Sequence, residues 1–356
     1  MLLLRQTVKY QYLSIVLLGL MASGRLTSQN ASDSELTAGH VPMISGGAGY
    51  IYSVNGGVPT LEPQINPVLV FPFGQHLLLE SRTDFTGFFQ RENQTSGPYK
   101  GKVFKTVEYA QLDWLANTHV MAVAGKYLLP FGLYNERLEP IWIRNLQDSP
   151  LTATIGTRTS GAGDGLMLRG VVTQTANLTT QYSAYFSARS GIKQLESART
   201  AGGDLSVFFP RPRFEIGASW QRFLQGHRVN NSATYVSWQP AAAKVDIKAE
   251  YDYSYYGHGY WLESAYRLDY PSLPKLFRKV QAVGRIQELF PLNGGGNGLP
   301  PIRTERVDFG VNYYLRDDLR LLSSYGRSLS SAQNANVWNL GFTYRFMIPL
   351  WFGGKR

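Results

Sequence analysis

The five histidines are the first candidates for metal or catalytic chemistry. His40, His76, His119, His227 and His258 are scattered along the chain with no HxH or HxxxH spacing, so they do not predict a metal site. The chain has no cysteine, which excludes thiol catalysis, disulfides and cysteine-ligated metal centres. The G-x-S-x-G nucleophile pattern is absent, although the members of a Ser–His–Asp triad need only meet in space. We therefore expect no catalytic residue, no metal ligand and no cofactor, and we keep an enzyme as an alternative.

Charged side chains instead recur at every second position of several stretches. In KVDIKAEYDY, Lys244, Asp246, Lys248, Glu250 and Asp252 share one parity, while apolar or aromatic residues occupy the other. Successive side chains of a β-strand point to opposite faces, so this stretch has one polar and one apolar face. Rows of charged groups set ion preference when they line a pore.

The same alternation predicts strands through most of the chain. It recurs in RFEIGASW, QYSAYFSAR, RVDFGVNYY and VWNLGFTYRF, and turn residues separate fourteen such patterns between residues 77 and 346. The region 42–75 could add a hairpin, giving sixteen strands, and a barrel built from one bacterial chain has an even number. Aromatic residues lie at the ends of the apolar faces, where lipid meets water in a membrane barrel. We therefore predict an all-β fold, a transmembrane antiparallel β-barrel of about sixteen strands, in preference to a soluble sandwich or propeller.

The N-terminus has the layout of a secretory signal peptide. Arg5 and Lys9 precede an apolar run from Leu13 to Met21, and small residues follow up to Gly24. No later segment approaches the run of about 20 apolar residues that a membrane helix needs. The predicted divisions are a signal peptide at 1–24, an N-terminal segment at 25–75 that could include a first hairpin, the barrel at 76–347 and a C-terminal tail at 348–356. We expect the mature protein in the bacterial outer membrane.

The alternation of side chains along each predicted strand assigns one set of charged residues to the inside of the barrel. The acidic residues on this face, with Glu80, Asp84, Asp113, Glu215 and Glu263 added to those named below, nearly balance the basic ones, so the charges support a mild anion preference at most. For any single member, a merely solvated wall is the alternative. The residues assigned to the lumen are Arg169, Arg189, Arg213, Lys244, Lys248, Lys279, Arg285, Arg306, Arg320, Arg345, Asp246, Glu250, Asp252 and Asp308.

A long connection follows the third of the fourteen strand patterns. The stretch GKYLLPFGLYNERLEPIWIRNLQDSP (125–150) is too apolar and aromatic for a loop that extends into water, and loops of this length in compact folds are usually functional. Folded into the lumen, it would narrow a pore, although a purely structural lid or plug is the alternative. The residues that it would present at the constriction are Lys126, Arg137, Arg144, Glu136, Glu139 and Tyr134.

Several stretches resemble the phosphate-selective porin O and P family. They are GKYLLPFGLYNER, GDGLMLRG, EIGASW, AEYDYSYYGHGYWLESAYRL and NVWNLGFTYRF, in the same order and spread over most of residues 77–346. The resemblance implies a sixteen-stranded, trimeric outer-membrane channel, in some members selective for phosphate through arginines and lysines. No motif here matches those basic residues one for one. The chain also departs from the usual aromatic end, because Phe346 is followed by MIPLWFGGKR.

These observations predict an outer-membrane porin for passive diffusion of small hydrophilic solutes, with a mild anion or phosphate preference. The alternatives are a non-selective or sugar-permeable porin and an outer-membrane enzyme or plugged barrel. Expected partners are outer-membrane lipid, small anionic or polar solutes, the outer-membrane assembly machinery and two further copies in a homotrimer. The net charge is +10, but without Lys/Arg runs it does not predict nucleic acid as a partner.

Overall fold

The described part of the chain is a single closed β-barrel. The computed structural model describes residues 41–350 except 94–95, 156–160, 193–194, 227, 294–297 and 333, so the predicted signal peptide lies outside it. Within these residues, sixteen antiparallel strands pair in chain order, and β1 pairs with β16 to close the barrel. The predicted fold class is confirmed. No helix of the described residues is long and apolar enough to cross a membrane.

The strands are β1 (Met43–Asn55), β2 (Val58–Phe73), β3 (Leu77–Arg91), β4 (Tyr99–Leu115), β5 (Met121–Leu128), β6 (Ala162–Gln174), β7 (Thr179–Ala188), β8 (Thr200–Phe209), β9 (Phe214–Phe223), β10 (Asn230–Trp238), β11 (Val245–Ser254), β12 (Gly257–Arg267), β13 (Val280–Pro291), β14 (Thr304–Tyr314), β15 (Leu319–Ser330) and β16 (Ala335–Pro349). A four-residue helix α1 (Tyr134–Arg137) and a 3-10 helix (Phe277–Lys279) lie in two of the connections.

The first hairpin, β1 and β2, belongs to the barrel. The barrel therefore begins at Met43 rather than at residue 76, and the hairpin that the sequence allowed within 42–75 is present. Pairing of β2 with β3 is interrupted at Pro63 and Pro67, whereas pairing of β2 with β1 continues through both. A proline has no N–H to donate to a strand neighbour, which is why prolines weaken the strand signal of a sequence.

The two ends of the barrel differ in the length of their connections. Met43 pairs with Pro349, so β1 starts and β16 stops at the same end, which we call the terminal end. Apart from residues 268–279, the connections there have three to six residues. The longest connections at the opposite end are 129–161, 189–199 and 292–303. This asymmetry suits a bacterial barrel whose terminal end lies in the periplasm. The last strand stops two residues beyond the predicted residue 347, and the tail from residue 351 lies outside the described residues.

Apolar side chains cover the outside of the barrel, and polar ones are buried inside. Leu166, Phe309 and Leu340 keep 66, 64 and 61% of their surface exposed, whereas Asp113 and Asn312 keep none. A water-soluble protein shows the reverse distribution. The outer surface therefore matches a hydrocarbon environment.

Arginine in the middle of this outer surface should destabilise the barrel in lipid. Leu340 lies well inside β16, whereas Leu329 is the next-to-last residue of β15. We expect Leu340→Arg to lower the free energy of unfolding by about 2–4 kcal/mol and Leu329→Arg by about 0–1 kcal/mol, because the cost of a charge falls from the midplane to the interface. Urea unfolding in lipid vesicles measures both. Equal effects would contradict a lipid-facing band.

Strand β5 is short because the chain leaves the wall at its end. It pairs with β4 only from Ala110 to Leu115, so on that side the stretch of β4 at 99–109 pairs with no other strand of the described residues. After Leu128 the chain enters the lumen, and it rejoins the wall at Ala162, the residue that pairs with Leu128. We call residues 129–161 the inner loop.

Candidate functional site

The inner loop crosses the lumen and packs against the wall from within. Near its start, Leu129 joins a buried cluster with Val123, Tyr127, Met167 and Tyr185, from β5, β6 and β7. The loop thus begins as an extension of the barrel's own apolar interior, which explains why this stretch of sequence is so rich in apolar residues.

Next, the loop is held on β9 and β11 by hydrogen bonds from its backbone. The N–H of Gly132 donates to the Ser219 hydroxyl over 3.0 Å, and the N–H groups of Leu133 and Tyr134 donate to the Glu250 carboxylate. Gly132 has a φ of +65°, and a Cβ there would lie 2.7 Å from the Glu250 carboxylate. Only glycine therefore fits this approach. Leu133 and Tyr134 then pack on Trp261 and on Tyr235 of β10.

On the opposite wall the loop packs two apolar side chains against the inner face of β1 and β2. Ile141 lies against Gly49, and Trp142 packs with Val68. A Cβ at Gly47 would lie 2.1 Å from the Trp142 ring. The absence of a side chain on β1 at this point makes the space that the indole fills.

The last part of the loop is hydrogen-bonded to β12–β16. Asn145 donates to Glu263 over 2.9 Å, and Asp148 accepts from Arg306 and, over 2.9 Å, from Asn339. Burial raises the pKa of Asp148, but the Arg306 guanidinium more than offsets this and holds the pKa of that carboxyl below its ordinary value. The contact is therefore present at neutral pH and is lost only in acid. Arg320 adds a hydrogen bond of 2.7 Å to the Arg144 carbonyl.

Some ion pairs between the loop and the wall remain accessible to water. Arg137 binds Glu215 of β9 at 2.8 Å, and the two side chains keep 35 and 16% of their surface exposed. Arg169 of β6 binds Glu136 at 3.0 Å, with 29 and 32% exposed. On β3, Arg82 binds Glu139, whose side chain keeps 35% exposed. Water inside the barrel therefore reaches the charged side of the inner loop.

A second set of charges forms a dry row across four strands. The register places Lys248, Glu263, Arg285 and Asp308 side by side on β11 to β14, with alternating sign. Arg285 lies 3.8 Å from Glu263 and 3.5 Å from Asp308, with 2% of its side chain exposed. The alternating ladder that the sequence suggested along one strand thus also runs across strands, where opposite charges face one another.

The structure locates the predicted constriction residues as follows. Arg137, Arg144, Glu136, Glu139 and Tyr134 lie in the inner loop; Arg144 is hydrogen-bonded to the Gln147 carbonyl at 2.9 Å, and Tyr134 to the Ser149 hydroxyl at 2.7 Å. The assignment of Lys126 to the loop was wrong. It lies in β5, and its ammonium donates to the Glu196 carbonyl at 3.1 Å, because β5 continues three residues further than the glycine at 125 suggests.

Of the ten basic residues and of Asp246, Glu250, Asp252 and Asp308 assigned to the lumen, nine contact the inner loop or one another from inward positions. A tenth, Arg345, lies opposite Gly47 of β1, and Trp142 packs on the same face of Gly47. The nine are Arg169, Lys248, Arg285, Arg306, Arg320, Asp246, Glu250, Asp252 and Asp308.

Four assignments to the lumen wall were wrong because parity does not show where a strand ends. Arg213 and Lys244 lie in turns at the terminal end, just before β9 and β11. Lys279 ends the 3-10 helix there, and its ammonium binds the Leu315 carbonyl at 2.8 Å. Arg189 follows the last residue of β7 and is exposed.

Sequence reasoning missed Arg82 and Asp148. Arg82 lies midway between Glu80 and Asp84 on the inward parity of β3, so the alternation contained the signal. Asp148 lies in an irregular segment, where no periodicity predicts its contact with Arg306. Within the described ranges, no group of three or more His, Cys, Asp or Glu side chains could hold a metal ion.

No protein-family model matches the chain, and no curated protein matches it. Solved structures of similar fold include OmpF of Salmonella typhi in complex with daunomycin (13% identity, TM-score 0.58, 86% of this chain and 97% of that chain). They also include an anion-selective porin from Comamonas acidovorans (8%, 0.52, 86% and 99%) and OmpT, an outer membrane protein of Vibrio cholerae (12%, 0.53, 86% and 97%). What the chain shares with them is its fold.

Proposed function

We propose that this chain is a porin that lets small hydrophilic solutes diffuse through the bacterial outer membrane. The observation that supports it most directly is the set of water-accessible ion pairs beside the inner loop, inside a closed barrel with an apolar exterior. Ion pairs such as Arg137–Glu215 and Arg169–Glu136 give a hydrated, polar surface beside the inner loop. The solved structures of similar fold include porins, which agrees with this proposal.

The charge selectivity that we propose is weak and favours anions, phosphate among them. Arg137 and Arg169 already bind carboxylates, so a phosphate entering the lumen has to compete with Glu215 and Glu136 for them. The net charge of +10 includes Arg5 and Lys9 of the predicted signal peptide, and the excess of basic residues that remains after its removal tips the balance toward anions. One solved structure of similar fold is that of an anion-selective porin.

Location and partners form part of the same proposal. The N-terminal pattern supports export with removal of residues 1–24, and the apolar exterior supports contact with outer-membrane lipid. Insertion then needs the outer-membrane assembly machinery. Assembly as a homotrimer follows the resemblance to the phosphate-selective porins.

Single-channel recording of the purified, refolded protein in a planar bilayer tests the proposal. We expect stepwise conductance, a small reversal potential of anion sign under a KCl gradient, and weak block by phosphate. A folded barrel that never conducts would overturn the porin assignment. It would favour a plugged barrel, in which the contacts of the inner loop with the wall seal the lumen.

Neutralising an accessible arginine should shift the selectivity toward cations. We expect Arg137→Gln to lower the anion-to-cation permeability ratio at least about fivefold, because a unit charge about 4 Å from a passing ion in water shifts the energies of an anion and a cation by about 1 kcal/mol each, in opposite directions, before salt screens it. Reversal potentials under a KCl gradient measure the ratio. Arg303→Gln is the matched control, since Arg303 binds Glu288, which also accepts from the outward-facing Tyr260. An equal shift in the two variants would contradict a role for Arg137 in the pore.

A further inference from the structure

Two carboxyl groups lie buried side by side beneath the inner loop. Glu250 and Asp252 occupy successive inward positions of β11 and keep 5 and 1% of their surface exposed. Their carboxyl groups are close enough to interact directly. Burying two adjacent carboxylates away from water costs folding free energy unless a positive species lies between them.

The nearest basic side chains are already paired with other acids. Lys248, the preceding inward residue of β11, binds Asp246. In the next row, Arg285 lies between Glu263 and Asp308. The positive charge that the two carboxyl groups need must come from elsewhere.

Further buried oxygens around Asp252 have no partner. Both carboxylate oxygens of Asp252 and the hydroxyl of Thr152 lack a hydrogen bond of normal geometry, although Thr152 lies beside Asp252 and is 1% exposed. Thr152 comes from the inner loop and packs over Gly259, the residue directly opposite Asp252 on β12. On β10, the amide of Asn231 is also buried without a partner, and it lies opposite Ser254, two residues from Asp252.

A proton and a metal ion would satisfy this cluster to different extents. One shared proton joins Glu250 to a single oxygen of Asp252, and the Thr152 hydroxyl beside Asp252 can donate to the other oxygen. The Thr152 oxygen and the Asn231 amide would still lack partners. A hard cation such as Ca²⁺ takes six to eight oxygen ligands at once, from carboxylates, hydroxyls and amides. The number of unpartnered oxygens therefore favours a cation.

We propose that Glu250, Asp252 and Thr152 form a binding site for a hard divalent cation of the Ca²⁺ class, with Asn231 at its edge. Such an ion would link β11 to the inner loop, because Thr152 belongs to the loop and Glu250 already accepts two of its N–H groups. With two carboxylates, affinity in the weak range of about 10⁻⁴–10⁻³ M is expected.

Terbium binding to the refolded full barrel, freed of metal with a chelator, tests the site. Trp261 lies directly opposite Glu250, so a Tb³⁺ ion bound there should luminesce on tryptophan excitation, and Ca²⁺ should displace it. We expect Asp252→Asn and Thr152→Val to lose most of this signal. Asp246→Asn is the matched control, because it makes the same change on the same face of β11 and should keep the signal.

Thermal unfolding gives a second readout that does not depend on conduction. About 10 mM Ca²⁺ should raise the unfolding midpoint of the wild-type barrel by about 2 °C, and by much less in Asp252→Asn and Thr152→Val. Wild-type protein with neither the luminescence nor the calcium-dependent shift would overturn the proposal and assign the cluster to a shared proton. So would equal responses in Asp252→Asn and wild type. A barrel that binds Ca²⁺ without conducting would overturn the proposed function alone.

Discussion

Replacement of residues 129–161 by an Asn-Gly turn is expected to raise single-channel conductance several-fold. Leu128 and Ala162 are paired neighbours on β5 and β6, so a two-residue turn can join them without moving either strand. The change removes the side chains that cross the lumen from the Glu250 side to the Trp142 side. Planar-bilayer recordings of the two proteins make the comparison.

A matched deletion separates this effect from a general disturbance of the barrel. Arg91 and Tyr99 are likewise paired, on β3 and β4, so residues 92–98 can be replaced by the same turn without touching the inner loop. This control should keep the wild-type conductance. Both variants should remain folded, as heat-dependent mobility in detergent gels would show. If a folded barrel without the inner loop conducts no better than wild type, the inner loop does not set the width of the pore.

Loss of Arg285 is expected to destabilise the barrel by about 3–5 kcal/mol. Its guanidinium lies between Glu263 and Asp308 with 2% of its side chain exposed. Arg285→Ala therefore leaves the buried Glu263 carboxylate without the guanidinium that it faces, while Asp308 keeps only Arg306 as a counter-charge. Urea unfolding in lipid vesicles measures the change in the free energy of unfolding.

The control for this prediction is an exposed arginine with a similar partner. Arg316 binds Asp318 in the turn between β14 and β15, with 65% of its side chain exposed. We expect Arg316→Ala to cost at most about 1 kcal/mol, because solvent screens the pair. Similar losses in the two variants would mean that water reaches Arg285 and that the row across β11–β14 is not dry.

Most of the fold could be predicted from the sequence because a strand with lipid on one side and polar groups on the other alternates strictly. The stretch from Lys244 shows this most clearly, and β11 begins one residue later, at Val245. The first hairpin was harder to predict. Prolines such as Pro63 and Pro67 interrupt pairing with β3 only, and a sequence does not show which edge of a strand lacks its N–H.

Much less of the site could be predicted. Parity shows the face of a residue and not its height on the wall, so Arg213 and Lys279 were placed in the lumen although they lie at the terminal end. Partners across strands depend on register. The pairing of Arg285 with Glu263 and Asp308 therefore cannot be derived from any one stretch, and the same is true of the contact between Arg306 and Asp148.

The seam between β1 and β16 also constrains when this protein can finish folding. Met43 and Pro349 are separated by roughly 300 residues, whereas every other strand pairs with one that precedes or follows it directly. Local hairpins can form early, but closure brings together the most distant parts of the chain and carries the largest loop-closure entropy. Until that last step, the partly folded sheet has two open edges. A nascent chain must therefore be kept from aggregating until its final strand has been made and can pair with the first.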